Sequence, residues 1–329
     1  MMKKLLLILI GVVFGAVIAE ILLGFTDKYS FNEVSAGRRV KELNYLREVR
    51  PSREYGYELV PNANKFINSL GMMDKEYSSV KPEGTFRILL LGDSVSQWGR
   101  WSEQLETELN RKRKTEILNT SVAGWKLYQM WKYCKLKNRE YGPDLTIVAV
   151  NINDIPNYLG VKTVYLDKKN KSLLQFSVKG GWRYDVETTL KINPYLYVHS
   201  NLYRFIVTTL FSKKMSLEQT QSRLGSSADM LNEMKEICGG KLLGIVFPYI
   251  KQLKDYSENE AFEYSWTLSE LENAGIDYID FTPYFNKFGA GIISFKLDKV
   301  DVVHFNDKGN LLIAGEVQKW LKRKTGLFN

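Results

Sequence analysis

Apolar runs alternate with stretches of helical periodicity along most of the chain. Ile88 to Leu91 form a continuous apolar run that stops at Gly92, which predicts a buried strand over 87–92. In the following segment Trp101, Leu105 and Leu109 share one stripe, as in a helix packed on a sheet. Further strands are predicted over 116–122, 145–150, 242–247 and 278–281, and helices over 125–141, 230–237, 260–274 and 311–321. This alternation predicts an α/β domain with a parallel sheet.

The amino-terminal segment has a different pattern. Lys3 and Lys4 precede an apolar stretch over 5–25, which at about 1.5 Å per residue spans the ~30 Å hydrocarbon core of a bilayer. Val17 and Ala19 offer a signal-cleavage point, but the apolar run continues past them, which favours an uncleaved transmembrane anchor over a secreted chain. Glu20 either reaches the interface or pairs with a partner in the membrane. We place the remaining domain outside the cytoplasm, with the lipid bilayer as partner of residues 5–25.

The pattern divides the remainder of the chain into a linking region and one domain. Residues 26–84 are predicted as a charged juxtamembrane helix over 34–49 followed by an extended strap on the domain surface. The domain covers 85–325 and contains an insertion over 156–215. Within the insertion, 163–166 and 173–178 predict a hairpin, and 195–210 predict an aromatic-rich helix. An insertion of this length is long enough to cover a site.

Composition excludes several classes of function. The 329 residues are 44% hydrophobic and 25% charged, as in ordinary globular proteins, and the net charge of +9 is spread over short basic runs with acids between them. No nucleic-acid recognition motif accompanies this charge, so no nucleic-acid partner is expected. Cys134 and Cys238 lack metal-ligand spacing, and the chain has only two histidines, so no metal or cofactor is expected. Whether the two cysteines form a disulfide stays open.

Ser94 is the candidate nucleophile, because it follows the first strand at the sheet edge where α/β domains bind ligands. A serine hydroxyl needs a base, and that base needs an orienting group. His304 lies in a polar loop ahead of the last helix, and Asp301 lies three residues upstream, close enough to hold its imidazole. The other histidine, His199, has aromatic neighbours and no acid at comparable spacing, so we interpret it as structural.

Acyl transfer also needs hydrogen-bond donors for an oxyanion. The ends of three predicted strands offer them: the backbone N–H of Ser94, the backbone N–H of Gly124 and the side-chain amide of Asn153. Glycine lets a substrate approach the backbone, and the asparagine amide donates without titrating.

These segments resemble the four sequence blocks of SGNH (GDSL-type) hydrolases, taken in order. Gly92-Asp93-Ser94, Gly124, Asn151-Ile152-Asn153-Asp154 and Asp301 to His304 match the blocks, although the third block of this family often has glycine where Asn151 stands. The segment leading into Ser94 is also similar to that of membrane-anchored SGNH proteins of bacterial envelopes. The resemblance implies a flavodoxin-like three-layer α/β/α sandwich with a mainly five-stranded parallel sheet. It also implies a Ser94–His304–Asp301 triad and an oxyanion hole of Ser94, Gly124 and Asn153.

Three functions follow as expectations from this resemblance. The first is a serine esterase that removes acyl groups, acetyl in the first instance, from an envelope or extracellular carbohydrate. The second is a polysaccharide O-acyltransferase with the same triad, and the third is a non-catalytic envelope scaffold. Trp98, Trp125 and Asn151 are the candidate substrate-binding residues, the two tryptophans because aromatic faces near the strand ends suit sugar rings. For the tryptophans of this region as a group, packing of two helices on the sheet is the favoured alternative.

Overall fold

The computed structural model describes residues 2–25, 49–52, 56–156, 163–167, 172–176, 200–210, 226–288 and 303–326. The chain divides into two compact units, one formed by Met1–Tyr57 with Lys162–Met215 and the other by Glu58–Val161 with Ser216–Asn329. The insertion predicted over 156–215 therefore groups, from Lys162 onward, with the amino-terminal segment. The strap residues after Tyr57 belong to the larger unit.

The described strands and helices are numbered separately in chain order. The strands are β1 (Val49–Ser52), β2 (Gly56–Leu59), β3 (Phe86–Gly92), β4 (Thr115–Asn119), β5 (Leu145–Asn151), β6 (Thr163–Asp167), β7 (Ser172–Phe176), β8 (Leu242–Phe247) and β9 (Asp277–Asp280). The α-helices are α1 (Met2–Gly24), α2 (Ser94–Gln97), α3 (Trp101–Asn110), α4 (Leu127–Tyr141), α5 (Asn201–Leu210), α6 (Ser227–Ile237), α7 (Glu258–Asn273), α8 (Thr282–Phe288) and α9 (Asp307–Thr325).

A five-stranded parallel sheet in the order β4-β3-β5-β8-β9 forms the centre of the larger unit. Every residue of β3 and β5 is buried, because helices cover both faces of the sheet. From β3 the chain passes to β4 on one side of it, and then crosses over to β5 on its other side. The carboxyl end of β3 is therefore the switch point of the sheet, where α/β folds bind ligands. The predicted α/β fold with a five-stranded parallel sheet is confirmed.

The sheet faces follow from strand alternation. Ile88 and Leu90 enter one hydrophobic cluster with residues of α3 and α9, including Trp101 and Val317. Leu89, on the opposite face of β3, is also fully buried. The α4 helix contacts β3 and packs against α6, which gives the second helical layer.

In the larger unit, the predicted boundaries lie within about four residues of the observed ones, and the largest difference is in the last helix, predicted over 311–321 and observed over Asp307–Thr325. The second strand was predicted to run to Val122 but ends at Asn119, although the N–H groups of Thr120 and Val122 still donate to Leu90 and Gly92 of β3. The helix predicted from Trp125 begins at Leu127 instead. The predicted helix over 34–49 lies outside the described residues apart from Val49, which begins β1.

Arg87 fastens the strap to the sheet. Its guanidinium is fully buried and donates to the carbonyl oxygens of Ser78 and Ser79 in the strap and of Tyr141 at the end of α4, at 2.9 to 3.1 Å. Glu116 on the neighbouring strand β4 supplies the counter-charge at 2.6 Å. The strap is thus held by one cation that also joins two strands, as expected for an ordered segment of the domain.

The smaller unit contains α1, which is long and apolar enough to cross a bilayer over Lys3–Gly24. Its single acidic residue, Glu20, accepts hydrogen bonds from the backbone N–H groups of Asn201 and Leu202 and from the Ser200 hydroxyl, at 2.5 to 2.8 Å. Glu20 therefore caps the amino terminus of α5, where a carboxylate is favoured by the unpaired N–H groups and the helix dipole. In the same unit β6 and β7 form the predicted antiparallel hairpin.

Cys134 on α4 and Cys238 after α6 meet across the second helical layer. Their Sγ atoms are 3.8 Å apart, and both are free thiols. Cys134 is fully buried and Cys238 is half-buried.

Candidate active site

Ser94 is the first residue of the short helix α2, directly after β3. Asp93 caps this helix, because its side chain accepts a hydrogen bond from the Val95 N–H at 2.9 Å. The Ser94 hydroxyl is thereby left available for chemistry rather than for capping. Gly92 allows this sharp strand-to-helix turn, since a Cβ there would lie 2.9 Å from both Ser96 and Ser121.

His304 reaches Ser94 from the loop before α9. Its Nε2 lies 2.9 Å from Ser94 Oγ, although 210 residues separate the two along the chain. The neighbouring Phe305 anchors the loop in the core by stacking on Phe285 with ring centroids 4.7 Å apart. On its other side Asn306 caps α9 by accepting from the N–H groups of Lys308 and Gly309. The two residues directly after His304 are therefore both fixed, one in the core and one as a helix cap.

Trp98 lies beside the His304 imidazole. The ring centroids are 5.1 Å apart and the planes are inclined by 47°. Trp98 is 45% exposed, so part of its indole faces solvent next to the Ser94–His304 pair. An aromatic face in this position suits contact with an apolar or carbohydrate part of a substrate.

The second predicted donor, Gly124, lies in a tight turn at the end of the segment after β4. Trp125 N–H donates to the Val122 carbonyl at 3.0 Å, and Gly124 has φ of 80°, a left-handed conformation that glycine adopts without strain. The turn is tied to the nucleophile helix, because Ala123 N–H donates to Gln97 Oε1 at 2.5 Å and Val122 N–H donates to the Gly92 carbonyl. The first and second sequence blocks are therefore joined by hydrogen bonds.

Asn153, the third predicted donor, lies just after β5 and both ends of its amide have partners. Lys126 Nζ donates to Asn153 Oδ1 at 2.6 Å, and Asn153 Nδ2 donates to the Tyr249 hydroxyl at 2.9 Å. Lys126 Nζ also donates to Asp154 Oδ1 at 2.6 Å, which connects the second and third blocks.

Two buried carboxyl groups flank this arrangement. Burial raises the pKa of Asp93, and the nearby charge of Asp154 raises it further. Burial also raises the pKa of Asp154, while the positive charge of Lys126 opposes that shift. Asp154 Oδ2 accepts from the Asn151 N–H at 2.8 Å, so this carboxylate shapes the turn at the end of β5.

The predicted site residues have different placements. The structure brings Ser94 and His304, the predicted nucleophile and base, within hydrogen-bond distance, whereas Asp301 and His199 lie outside the described residues. Trp125, expected at the substrate, is fully buried and packs on Tyr133 with ring centroids 5.4 Å apart, so its indole lies in the core. Asn151 is also buried, and its side-chain amide atoms have no hydrogen-bond partner among the described residues.

Sequence reasoning missed two residues that organise the site. Gln97 holds the Gly124 turn, and Lys126 contacts Asn153 and Asp154. In the sequence, both lie within three residues of a predicted donor or nucleophile, and this closeness is the signal that could have identified them. Their partners are 26 to 28 residues away in sequence, so no local pattern identifies the contacts.

Comparison with solved structures finds similar chains at low sequence identity. An α/β hydrolase enzyme named LAE5, from the metagenome of Lake Arreo in Spain, is 12% identical, with a TM-score of 0.45 over 74% of this chain and 96% of that one. The lipase/acylhydrolase of Enterococcus faecalis is 12% identical, with a TM-score of 0.43 over 73% and 96%. The acetylxylan esterase Axe2 of Geobacillus stearothermophilus is 11% identical, with a TM-score of 0.43 over 71% and 93%. No family model and no curated protein sequence matches the chain.

Proposed function

We propose that this protein is a serine hydrolase of the SGNH type that removes short acyl groups, acetyl in the first instance, from an envelope or extracellular carbohydrate. The observation that carries the proposal is the 2.9 Å contact between Ser94 Oγ and His304 Nε2 at the carboxyl end of β3. This distance lies within the range in which a base takes a proton from a nucleophile.

The proposed reaction proceeds in two halves. Ser94 Oγ attacks the ester carbonyl carbon while its proton passes to His304 Nε2, and the negative charge collects on the former carbonyl oxygen. The alcohol then leaves with the proton from Nε2, which gives an acyl group on Ser94. Water next gives a proton to Nε2 as its oxygen attacks the acyl carbon, and the acid leaves as the Ser94 hydroxyl is restored. In this proposal Asp301 orients the imidazole.

The proposed oxyanion donors are Ser94 N–H, Gly124 N–H and Asn153 Nδ2. Ser94 N–H lies at the start of α2, and Gly124 lies in a turn fastened to the same helix through Gln97. Asn153 Nδ2 has two hydrogens, and its contact with Tyr249 uses one of them. Preorganised donors of this kind are each worth about 10²–10³ in rate.

The proposed substrate class rests on two features. The half-exposed indole of Trp98 beside His304 offers a face for a sugar ring next to the reacting ester. The apolar helix α1 suits a protein that works at a membrane, with envelope or extracellular carbohydrate as substrate.

The test is covalent labelling with a fluorophosphonate probe, followed by mapping of the modified residue. We expect modification of Ser94 and its loss in Ser94→Ala. The matched control is Ser96→Ala, since Ser96 lies on the same helix and its buried hydroxyl has no hydrogen-bond partner among the described residues. Labelling at another residue, or none in the folded protein, would remove the proposed mechanism.

The same preparation separates hydrolysis from transfer. The full chain in detergent is given an acetyl ester with and without an oligosaccharide acceptor, and both acetate and acetylated oligosaccharide are measured. Hydrolysis predicts free acetate at a rate that the acceptor does not change. Acetylated oligosaccharide with little free acetate would instead assign an O-acyltransferase, and a Ser94→Ala variant that keeps the cellular phenotype would favour a scaffold.

A further inference from the structure

Lys126 is the residue directly before α4, and its side chain contacts two residues of the turn after β5. Its Nζ lies 2.6 Å from Asn153 Oδ1 and 2.6 Å from Asp154 Oδ1. The Lys126 side chain is 19% exposed and that of Asp154 is fully buried. This is a partly desolvated ion pair that also holds a neutral amide.

The contact decides which way the Asn153 amide faces. A lysine ammonium can only donate hydrogen bonds, so the atom of Asn153 that faces it must be the oxygen. The nitrogen is then directed away from Lys126, and the Tyr249 hydroxyl accepts one of its hydrogens at 2.9 Å. With a neutral apolar side chain at position 126, the amide oxygen would lose its donor, and this orientation would depend on the weaker, uncharged contact of Nδ2 with the Tyr249 hydroxyl.

The contact also changes the strength of the donor. The positive charge of Lys126, placed next to the amide oxygen of Asn153, draws electron density away from the amide nitrogen. Hydrogen bonds that are linked in this way, from Lys126 through Asn153 to its acceptor, polarise one another. The Nδ2 hydrogens of Asn153 then bind a developing negative charge more tightly than those of an isolated amide. Asp154 balances the charge of Lys126 and fixes it in place.

We propose that Lys126 is a positioning residue that orients and polarises the Asn153 amide as an oxyanion donor. The proposal rests on the proposed function, because it assigns Asn153 the same role. Its effect belongs to the transition state, in which the oxyanion forms, rather than to the binding of the neutral ester. Loss of Lys126 should therefore lower kcat and leave KM nearly unchanged.

The test is a double-mutant cycle on the full chain in detergent, with p-nitrophenyl acetate as substrate. We expect Lys126→Met to lower kcat about tenfold or more, Lys126→Arg to recover most of that loss, and Asn153→Ala to lower kcat about 10²-fold or more. In the Asn153→Ala background, Lys126→Met should have no further effect, because the amide on which it acts is gone. Lys132→Met on the same helix is the control and should leave kcat unchanged.

The cycle distinguishes this role from a merely structural ion pair. A lysine that only stabilises the fold would lower kcat by the same factor with or without Asn153, and that outcome would overturn the proposal. An unchanged kcat in Lys126→Met would overturn it as well. Wild-type protein that neither hydrolyses the ester nor reacts with a fluorophosphonate would instead remove the proposed function itself.

A second variant keeps the test decisive if Lys126→Met fails to fold. Tyr249→Phe removes the acceptor of Asn153 Nδ2 and leaves the ion pair intact. We expect a smaller fall in kcat, which also vanishes in the Asn153→Ala background. A Tyr249→Phe effect of equal size in both backgrounds would contradict the proposed orientation of the amide.

Discussion

Gln97 Oε1 accepts a hydrogen bond from the Ala123 N–H at 2.5 Å, which joins the helix of the proposed nucleophile to the turn that contains Gly124. Gln97 is 4% exposed, so water cannot replace this bond in the folded protein. The position of one proposed oxyanion donor therefore depends on a side chain three residues from Ser94.

Replacement of Gln97 by leucine should loosen that turn. The variant leaves a buried N–H without its acceptor, which costs about 1–3 kcal/mol in stability, and we expect kcat for p-nitrophenyl acetate to fall about tenfold with little change in KM. Gln97→Glu retains an acceptor oxygen and should recover most of kcat. Steady-state kinetics on the three proteins checks this, and equal kcat in Gln97→Leu and wild type would show that the turn does not depend on this bond.

Substitution of Trp98 should weaken the binding of carbohydrate esters more than the binding of small esters. Loss of an aromatic stacking surface costs about 0.5–1.5 kcal/mol, so Trp98→Ala should raise KM for an O-acetylated oligosaccharide by up to about tenfold. Trp98→Phe retains an aromatic face, so its KM for the oligosaccharide should lie between the values for wild type and Trp98→Ala. KM for p-nitrophenyl acetate serves as the internal control, and a parallel rise for both substrates would indicate support of His304 rather than contact with a sugar.

Arg87→Met should destabilise the larger unit. The substitution leaves Glu116 without its buried cation and several carbonyl oxygens without a donor, and breaking such a buried pair costs about 3–5 kcal/mol. Chemical unfolding of the full chain in detergent measures the loss. Arg111→Met is the matched control, since that arginine is 69% exposed in its pair with Glu108 and should change stability by less than about 0.5 kcal/mol.

Asp74 should make stability depend on pH. Burial raises the pKa of this carboxyl to about 6, above the value of about 3.9 expected in the unfolded chain. The protonated Asp74 carboxyl therefore contributes its full share to the free energy of unfolding below pH 4, and this contribution is lost as the pH rises through 6. Asp74→Asn cannot ionise, so its stability relative to wild type should improve by about 1–2 kcal/mol between pH 4 and pH 7. Unfolding curves at both pH values check this, and a difference independent of pH would contradict it.

The sequence predicts the central sheet well because its signals are local. The apolar run that ends at Gly92, and the equally continuous runs of β5 and β8, specify strands buried on both faces. Parallel strands bring their carboxyl ends to one edge, so the same alternation predicts that the turns with Ser94, Gly124 and Asn153 lie near one another. His304 follows no strand of the described sheet, so its place beside Ser94 was expected only from the polar loop before the last helix and from the resemblance of the sequence blocks.

The supporting contacts of the site are not local and were not predicted. Lys126 reads in sequence as an ordinary charge at the start of an amphipathic helix, and only the fold brings β5 and its following turn within reach of its ammonium. Trp125, in contrast, is a residue for which the sequence suggested a role in the site that its burial contradicts. Its place after Gly124 suggested the substrate, but the chain turns there and carries the indole into the core against Tyr133.

The cap that Glu20 places on α5 ties the insertion to the last turn of α1. Glu20 lies about one helical turn before the end of α1 at Gly24, so the start of α5 is held within that distance of the last apolar turn. With α1 in a bilayer, residues 200–202 would sit at the depth of the lipid headgroups. A cut after Ala19 would make Glu20 the amino-terminal residue and would remove most of the apolar stretch, so the acid that caps α5 would remain while the membrane-spanning length of α1 was lost.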